Sequence, residues 1–293
     1  MRKFREAVES DIFSISAELT LKRETTSSDI NQQIDVLGHI VDGIQITDSP
    51  WSWVQMSPVA ASAIMLQRGV DPIPVLTCRD RNRIALQSDL IGMRAMGVTS
   101  LMLTRGHRVP KEHHIAATTV FDTTGRELIG MANTLNEEPS TLPGEQFFIG
   151  TGARAYRPRK NWSAESLNAR ANAGARFLQT QLCFNTDIIK AYIESLVQAK
   201  LTWKYAVMIS LTTLPSAKTA LWLKNNMPDS RIPEHVVTRL EDADNAEQEG
   251  IDICAELMQE ISQIPGVSGV NLMTMGNAKS IPAAIKQSGL RSI

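Results

Sequence analysis

Eight short runs of apolar and β-branched residues recur along the chain, and a segment with helical periodicity follows each of them. The runs cover residues 12–19, 43–47, 73–78, 100–105, 147–153, 177–184, 206–214 and 267–275. Several, such as SLMLT and VMISL, are apolar at successive positions, which is typical of strands that are covered on both faces. The alternation predicts consecutive parallel βα units.

The segments between the runs indicate how these units are arranged. Residues 83–96 and 187–199 each carry a broad apolar stripe at helical spacing. The connection between the last two runs is longer, with Pro233 near a helix start and a further amphipathic run over 246–264. The chain has 293 residues, close to the roughly 250 at which an eight-unit barrel closes. We therefore predict an α/β fold: one (β/α)₈ TIM barrel domain over 1–293, with extra helices between strands 7 and 8.

No repeat or low-complexity tract divides the chain, and we interpret its best linker candidate, PSTLPG at 139–144, as an ordinary loop. Charge and hydropathy argue against two classes of binding partner, nucleic acid and membrane. With 30 basic and 31 acidic residues the net charge is -1, so no overall field attracts nucleic acid or anionic lipid. The N-terminus lacks an apolar signal region, and no stretch reaches the roughly 18 to 20 apolar residues of a membrane span. The three cysteines lack CxxC spacing. We expect a cytoplasmic protein that binds neither nucleic acid nor membrane.

Polar residues at predicted strand ends are candidates for a site in the barrel mouth. Glu18 ends strand one, and a solvated strand-end glutamate is the simpler alternative. Arg105 and Gly106 end strand four, where they combine an anion-binding side chain with close backbone access. Gln181 lies inside an apolar strand, so its amide needs a partner in the lumen or on a ligand. Arg170 precedes strand six and would equally suit a solvated helix face.

Two other kinds of site are disfavoured by the pattern. His107, His113 and His114 lie in a basic loop without the carboxylates that a metal site would need, so we predict no metal. The segment GTGARA at 150–155 does not complete a GxGxxG fingerprint with an acidic ribose anchor. The residues alone thus support a TIM-barrel enzyme with a polar mouth.

One long segment resembles a known family. The stretch TCRDRNRIALQSDLIGMRAMGVTSLMLTRG at 77–106 closely resembles the third strand, helix and fourth strand of methylenetetrahydrofolate reductases. The segments AGARFLQTQLCFN at 173–185 and VFD at 120–122 are also similar to that family. Weaker agreement extends from SAEL near the start to GVSGVNLMTM near the end, so the resemblance covers nearly the whole barrel in order.

The resemblance implies an activity. Members of the family pass hydride from NAD(P)H to flavin adenine dinucleotide (FAD), and then to 5,10-methylenetetrahydrofolate, giving 5-methyltetrahydrofolate for methionine biosynthesis. Glu18 matches the acid that opens the imidazolidine ring, and Gln181 matches the glutamine that binds the pterin. We also place Met275, at the end of strand eight, among the substrate-binding residues. We expect a homo-oligomer.

The resemblance also implies a cofactor site. The positions that match flavin contacts at strand ends or near the flavin phosphates are Thr47, Thr77, Arg105, Gly106 and Arg170, with His107 beside them. His107 stands where the family usually has an aspartate, Val75 where it often has a histidine, and LTLKR replaces an aromatic-proline run. A histidine there should raise the flavin potential, which gives His107 a catalytic role.

Three alternatives remain open at this stage. The same site could run toward 5,10-methylenetetrahydrofolate, as His107 would favour. The chain could be a folate-binding partner subunit without catalysis, which the retention of Glu18 and Gln181 argues against. It could also be a barrel methyltransferase that uses folate without flavin.

Overall fold

A computed structural model describes residues 3–10, 12–110, 115–137, 145–274 and 278–291. Eight parallel strands form a closed barrel in sequence order, and β8 pairs with β1. The strands are β1 (Ser14–Leu19), β2 (Gly43–Ile46), β3 (Pro72–Thr77), β4 (Ser100–Thr104), β5 (Phe148–Ala153), β6 (Phe177–Leu182), β7 (Ala206–Thr212) and β8 (Gly269–Met273). The predicted (β/α)₈ fold is confirmed, and every predicted run overlaps an observed strand, although β3 begins one residue before its run, at Pro72.

Helices surround the barrel and connect the strands. They are α1 (Phe4–Val8), α2 (Ser27–Leu37), α3 (Pro58–Gln67), α4 (Arg83–Met96), α5 (Gly125–Glu137), α6 (Glu165–Asn172), α7 (Thr186–Gln198), α8 (Ala217–Asn226), α9 (Glu234–Asp242), α10 (Ala246–Ser262) and α11 (Ser280–Ser288). Ser57, Asn82 and Asn185 cap α3, α4 and α7 by accepting a backbone N–H with their side chains. Three helices separate β7 from β8, which confirms the enlarged connection.

The two faces of the strands have different surroundings. Outward residues such as Ile15, Leu103 and Ile209 join one large apolar cluster with the helices. Inside the barrel, a second cluster fills the N-terminal half of the lumen, and its buried members are Phe4, Val8, Ile73, Met102, Phe148, Phe177 and Met208. The side chain of Phe4, from α1, thus closes the bottom of the barrel.

Phe177 sets the packing of that lower layer. Its ring stacks on Phe148 at 5.2 Å between centroids and meets Phe4 edge-on at 5.4 Å. A Cβ atom at Gly150 would lie 2.1 Å from the Phe177 ring, so β5 requires glycine there. A packed lower half leaves the C-terminal half of the lumen as the place for a ligand.

Some predicted boundaries differ from the structure. The sequence predicts that strand six reaches residue 184 and strand seven residue 214, but β6 ends at Leu182 and β7 at Thr212. Phe184 and Leu214 lie beyond these ends and pack in a cluster with α8 and α9. The linker candidate 139–144 lies outside the described residues. Among the helices that the structure describes, none is long and apolar enough to cross a membrane.

Candidate active site

The upper half of the lumen is polar. Because side chains alternate along a strand, the positions that follow the lower apolar layer also face inward. The buried polar residues at these positions are Ser16, Glu18, Gln45, Thr77, Gln179, Ser210, Thr212 and Asn271. Convergent polar groups at the C-terminal face of a packed barrel mark the place where ligands bind in this fold.

Glu18 is the ionisable group of this layer. It lies on β1 opposite Gln45 of β2, and its side chain is almost fully buried. Burial raises the pKa of its carboxyl from 4.5 to about 8. Within the described residues no hydrogen bond or ion pair satisfies the carboxyl. Because the side chain is buried, the alternative of a solvated strand-end glutamate is wrong. A buried carboxyl that keeps its proton near neutral pH can act as a general acid.

Other buried polar atoms around Glu18 also lack partners. Ser16 donates to the side-chain oxygen of Asn271 at 2.8 Å, but Asn271 Nδ2 has no hydrogen-bond partner among the described residues. The same is true of Gln45 Oε1 and Ser210 Oγ. Native proteins seldom leave buried donors and acceptors unpaired. Such a set fits a polar ligand that offers both donors and acceptors.

Gln181 of β6 is half-buried and lies on the inward side of its strand, as predicted. Gln179, one step deeper on the same face, is buried and is not among the site residues predicted from the sequence. Neither amide has a hydrogen-bond partner among the described residues. Two free amides therefore line the β6 side of the mouth. Met275 lies outside the described residues.

The predicted cofactor residues at the ends of β2 and β3 are held by local contacts. The Thr47 hydroxyl donates to Gln55 Oε1 at 3.2 Å. The Thr77 hydroxyl donates to Asp48 Oδ2 at 2.8 Å, and the Thr77 N–H donates to the same oxygen at 2.8 Å. Their hydroxyls are therefore engaged with neighbouring connections.

Asp48 is a buried residue that was not among the site residues predicted from the sequence. Its carboxylate accepts both Thr77 bonds and a two-pronged pair from Arg81, at 2.9 Å and 2.8 Å. Arg81 in turn pairs with Asp89 of α4 at 3.0 Å. A bidentate arginine–carboxylate pair fixes geometry more strictly than a single bond. The available signal was an aspartate directly after a predicted strand, together with the arginine of TCRDR.

The end of β4 brings three predicted residues to the edge of the mouth. Gly106 has φ +78, and a Cβ there would lie 3.0 Å from Thr77 Cβ, so both backbone and space favour glycine. The Arg105 guanidinium is exposed and lies 4.2 Å from the centroid of the Phe121 ring. His107 is exposed and has no hydrogen bond within the described residues. His113 and His114, the other two histidines of this loop, lie outside the described residues.

Arg170 connects α6 to the end of β5. Its Nη1 donates to the carbonyl of Gly152 at 2.6 Å and to the Thr151 hydroxyl at 3.2 Å. Arg170 is half-buried, and these bonds tie its guanidinium to β5 instead of leaving it on a solvated helix face. Across the part of the chain that the structure describes, no group of three or more His, Cys, Asp or Glu residues could hold a metal ion.

Comparison with known proteins supplies the family. The family described as Methylenetetrahydrofolate reductase matches residues 3–289. The chain belongs to the methylenetetrahydrofolate reductase family. It is 24% identical over 246 residues to a probable methylenetetrahydrofolate reductase (NADPH) from Caenorhabditis elegans, which covers 81% of this chain. The chain spans about a third of that relative's length, since the match covers 35% of it.

Solved structures agree on the fold. A triclinic crystal form of 2,3-dimethylmalate lyase, a member of the PEP mutase/isocitrate lyase superfamily, matches with a TM-score of 0.52 and 10% identity, over 98% of this chain and 85% of the lyase. The trigonal form matches with a TM-score of 0.50 and 12% identity, over 99% and 83%. At such identities the likeness extends to the barrel alone. The methylenetetrahydrofolate reductase family assignment therefore rests on sequence, and the site on the geometry above.

Proposed function

We propose that this chain is an oxidoreductase that interconverts 5,10-methylenetetrahydrofolate and 5-methyltetrahydrofolate, with FAD as cofactor and NAD(P)H as electron donor. The observation that carries the proposal is Glu18: a buried carboxyl with a pKa of about 8, at the mouth of a barrel in a chain of this family. Ring opening of the methylene substrate needs a proton at a ring nitrogen. A carboxyl that holds its proton at neutral pH supplies it.

The remaining polar residues support binding of the folate pterin. Its ring carries both donors and acceptors, which would match the unpaired atoms of Gln45, Ser210 and Asn271. Gln179 and Gln181 offer two further amides from β6. Binding to these groups would keep water from the carboxyl and orient the reacting nitrogen toward Glu18.

The residues that follow β3 and β4, together with Arg170, are the ones that we expect to bind the flavin. Gly106 leaves the backbone accessible beside Thr77. Arg105 lies over the Phe121 ring, and its guanidinium makes no hydrogen bond within the described residues. Arg170 Nη2 has no partner within the described residues. When bound, FAD would supply hydride transfer between the nicotinamide and the folate. The name of the nematode relative specifies NADPH, and we take NADPH as the first donor to test.

The direction of the reaction has a second candidate. The segment after β4 carries Arg105, His107 and Arg108 and no carboxylate up to residue 110. Positive charge near a flavin stabilises its reduced, anionic form. This favours oxidation of 5-methyltetrahydrofolate on the same site. Action in the cytoplasm as a homo-oligomer stays a prediction.

The experiment separates the two half-reactions under anaerobic conditions after reconstitution with FAD. In Glu18→Gln, reduction of the flavin by NADPH should keep its wild-type rate. Reoxidation by 5,10-methylenetetrahydrofolate should slow by about 100-fold or more, as expected for loss of a positioned acid. The matched control is Glu24→Gln, an exposed glutamate beyond the same strand.

Two outcomes would contradict the proposal. Equal loss in both half-reactions would make Glu18 a structural residue. Failure of the wild-type protein to bind FAD, or to turn over folate with it, would remove the cofactor assignment.

A further inference from the structure

Two tryptophans from the connections after β2 and β7 touch each other. Trp51 lies in the connection after β2, and Trp222 lies on α8, after β7. Their ring centroids are 5.9 Å apart and the ring planes cross at 67°, an edge-to-face contact. About half of each side chain is exposed to solvent, 52% of Trp51 and 46% of Trp222. This contact is not part of the folate and flavin sites proposed above.

The strand order shows where this contact lies. In the closed barrel, β7 and β2 are separated by β8 and β1. All strands are parallel, so the connections after β2 and β7 leave the barrel at the same end. A contact between them therefore bridges the sector of the mouth that β8 and β1 form. Glu18 lies near the end of β1, in that sector.

The connection that carries Trp51 is held in an unfavourable backbone conformation. Ser49, Trp51 and Ser52 have φ values of 47, 57 and 65, a region that residues with side chains seldom adopt. Arg79 donates to the Ser49 carbonyl at 3.0 Å, next to the bonds that Asp48 makes to β3. Strained backbone persists where surrounding contacts impose it, and it clusters at ligand clamps and switches.

We propose that Trp51 and Trp222 form an aromatic latch that closes the barrel mouth above Glu18 and opens to admit the substrate. The arm with Trp51 is fixed by its anchors, so opening separates the rings by movement of α8. An edge-to-face pair is weak enough to open and re-form during turnover. The latch itself follows from the geometry, whereas the identity of the admitted substrate as a folate rests on the proposed function.

The first experiment measures access without any folate. Glu18→Cys places a thiol under the latch, and the native cysteines Cys78, Cys183 and Cys254 are all buried. N-ethylmaleimide should label this thiol about two to ten times faster when Trp51→Ala or Trp222→Ala is added, the range over which one aromatic pair shifts an opening equilibrium. The double variant should label no faster than the faster single variant, because either change already breaks the pair.

A matched control uses a tryptophan at the other end of the barrel. Trp203, which precedes β7, is 82% exposed, and Trp203→Ala should leave the labelling rate unchanged. Trp222→Leu keeps apolar volume on α8 and covers the case in which an alanine variant does not fold. Equal labelling rates in all variants would overturn the latch.

The second experiment measures 5-methyltetrahydrofolate binding by stopped flow. In Trp222→Ala the association and dissociation rates should both rise by the factor seen in labelling, with Kd within about twofold of wild type. A slower association, or a rise in dissociation alone with weaker Kd, would mean that the rings grip the ligand, and the latch would be wrong. Absence of folate binding by wild type, with the labelling effect intact, would contradict the proposed function and leave the latch standing.

Discussion

Replacement of Glu18 by glutamine should make the protein more stable, by an amount that grows with pH. In the unfolded chain the carboxyl titrates near 4.5, and in the barrel burial moves its pKa to about 8. The folded state therefore prefers the protonated form. The stability that protonated Glu18 provides is fully present below pH 4.5 and is lost as the pH rises through about 8.

The size of the effect follows from the two pKa values. For each pH unit between 4.5 and about 8, the free energy of unfolding of the wild-type protein falls by about 1.4 kcal/mol. The full loss above pH 8 is therefore about 5 kcal/mol. At pH 7 it is about 3 kcal/mol. Glutamine stays neutral and nearly isosteric, so Glu18→Gln should escape this loss. The difference between variant and wild type should be small near pH 4.5 and should level off above pH 8.

Urea unfolding of both proteins at unit steps from about pH 5 to 9 measures this difference. Glu24→Gln, which changes an exposed glutamate, should track the wild type at every pH. A difference between Glu18→Gln and wild type that does not change with pH would refute the reasoning, since it would mean that the carboxyl is ionised in the folded protein throughout. A difference that falls as pH rises would show a depressed pKa and an unseen cationic partner.

Two further predictions concern the mouth. His107→Asp should lower the midpoint potential of bound flavin by tens of millivolts, since a charge change near the ring is worth roughly 1 to 3 kcal/mol. A spectroscopic redox titration from about pH 6 to 8 checks it, and coincident potentials would place His107 away from the flavin. Asp48→Asn should lower the free energy of unfolding by about 3 kcal/mol, because it removes one partner of a buried ion pair. Asp35→Asn, at an exposed pair with Arg68, should cost less than about 1 kcal/mol in the same denaturation assay.

The barrel could be predicted because its signal is local. Each strand is a short run of apolar residues, and each helix carries its own stripe and often its own cap, so both are visible in a window of about a dozen residues. Helix α4 was predicted at its observed bounds, Arg83–Met96. Strand ends were less accurate, because Cys183 and Phe184 are as apolar as the strand they follow.

The candidate site could be predicted only in part. Glu18 and Gly106 stand at strand ends, which is a weak signal alone, and the resemblance to the family supplied their expected roles. The Asp48–Arg81 pair joins residues 33 positions apart, and its existence depends on how two connections meet. The Trp51–Trp222 contact depends on positive φ values at residues other than glycine, which no local pattern indicates.

The seam between β1 and β8 has a consequence for the order in which activity can appear during folding. Ser16 on β1 bonds Asn271 on β8 across 255 positions of sequence, so this contact forms only after most of the intervening units are in place. Glu18 belongs to the same strand. A chain with its first six or seven units folded would already have most of its core and nearly all of its helices, yet its acid would still titrate as an ordinary solvated glutamate. Closure of the barrel therefore creates the acid, and any ligand that requires a protonated Glu18 distinguishes closed molecules from nearly complete ones.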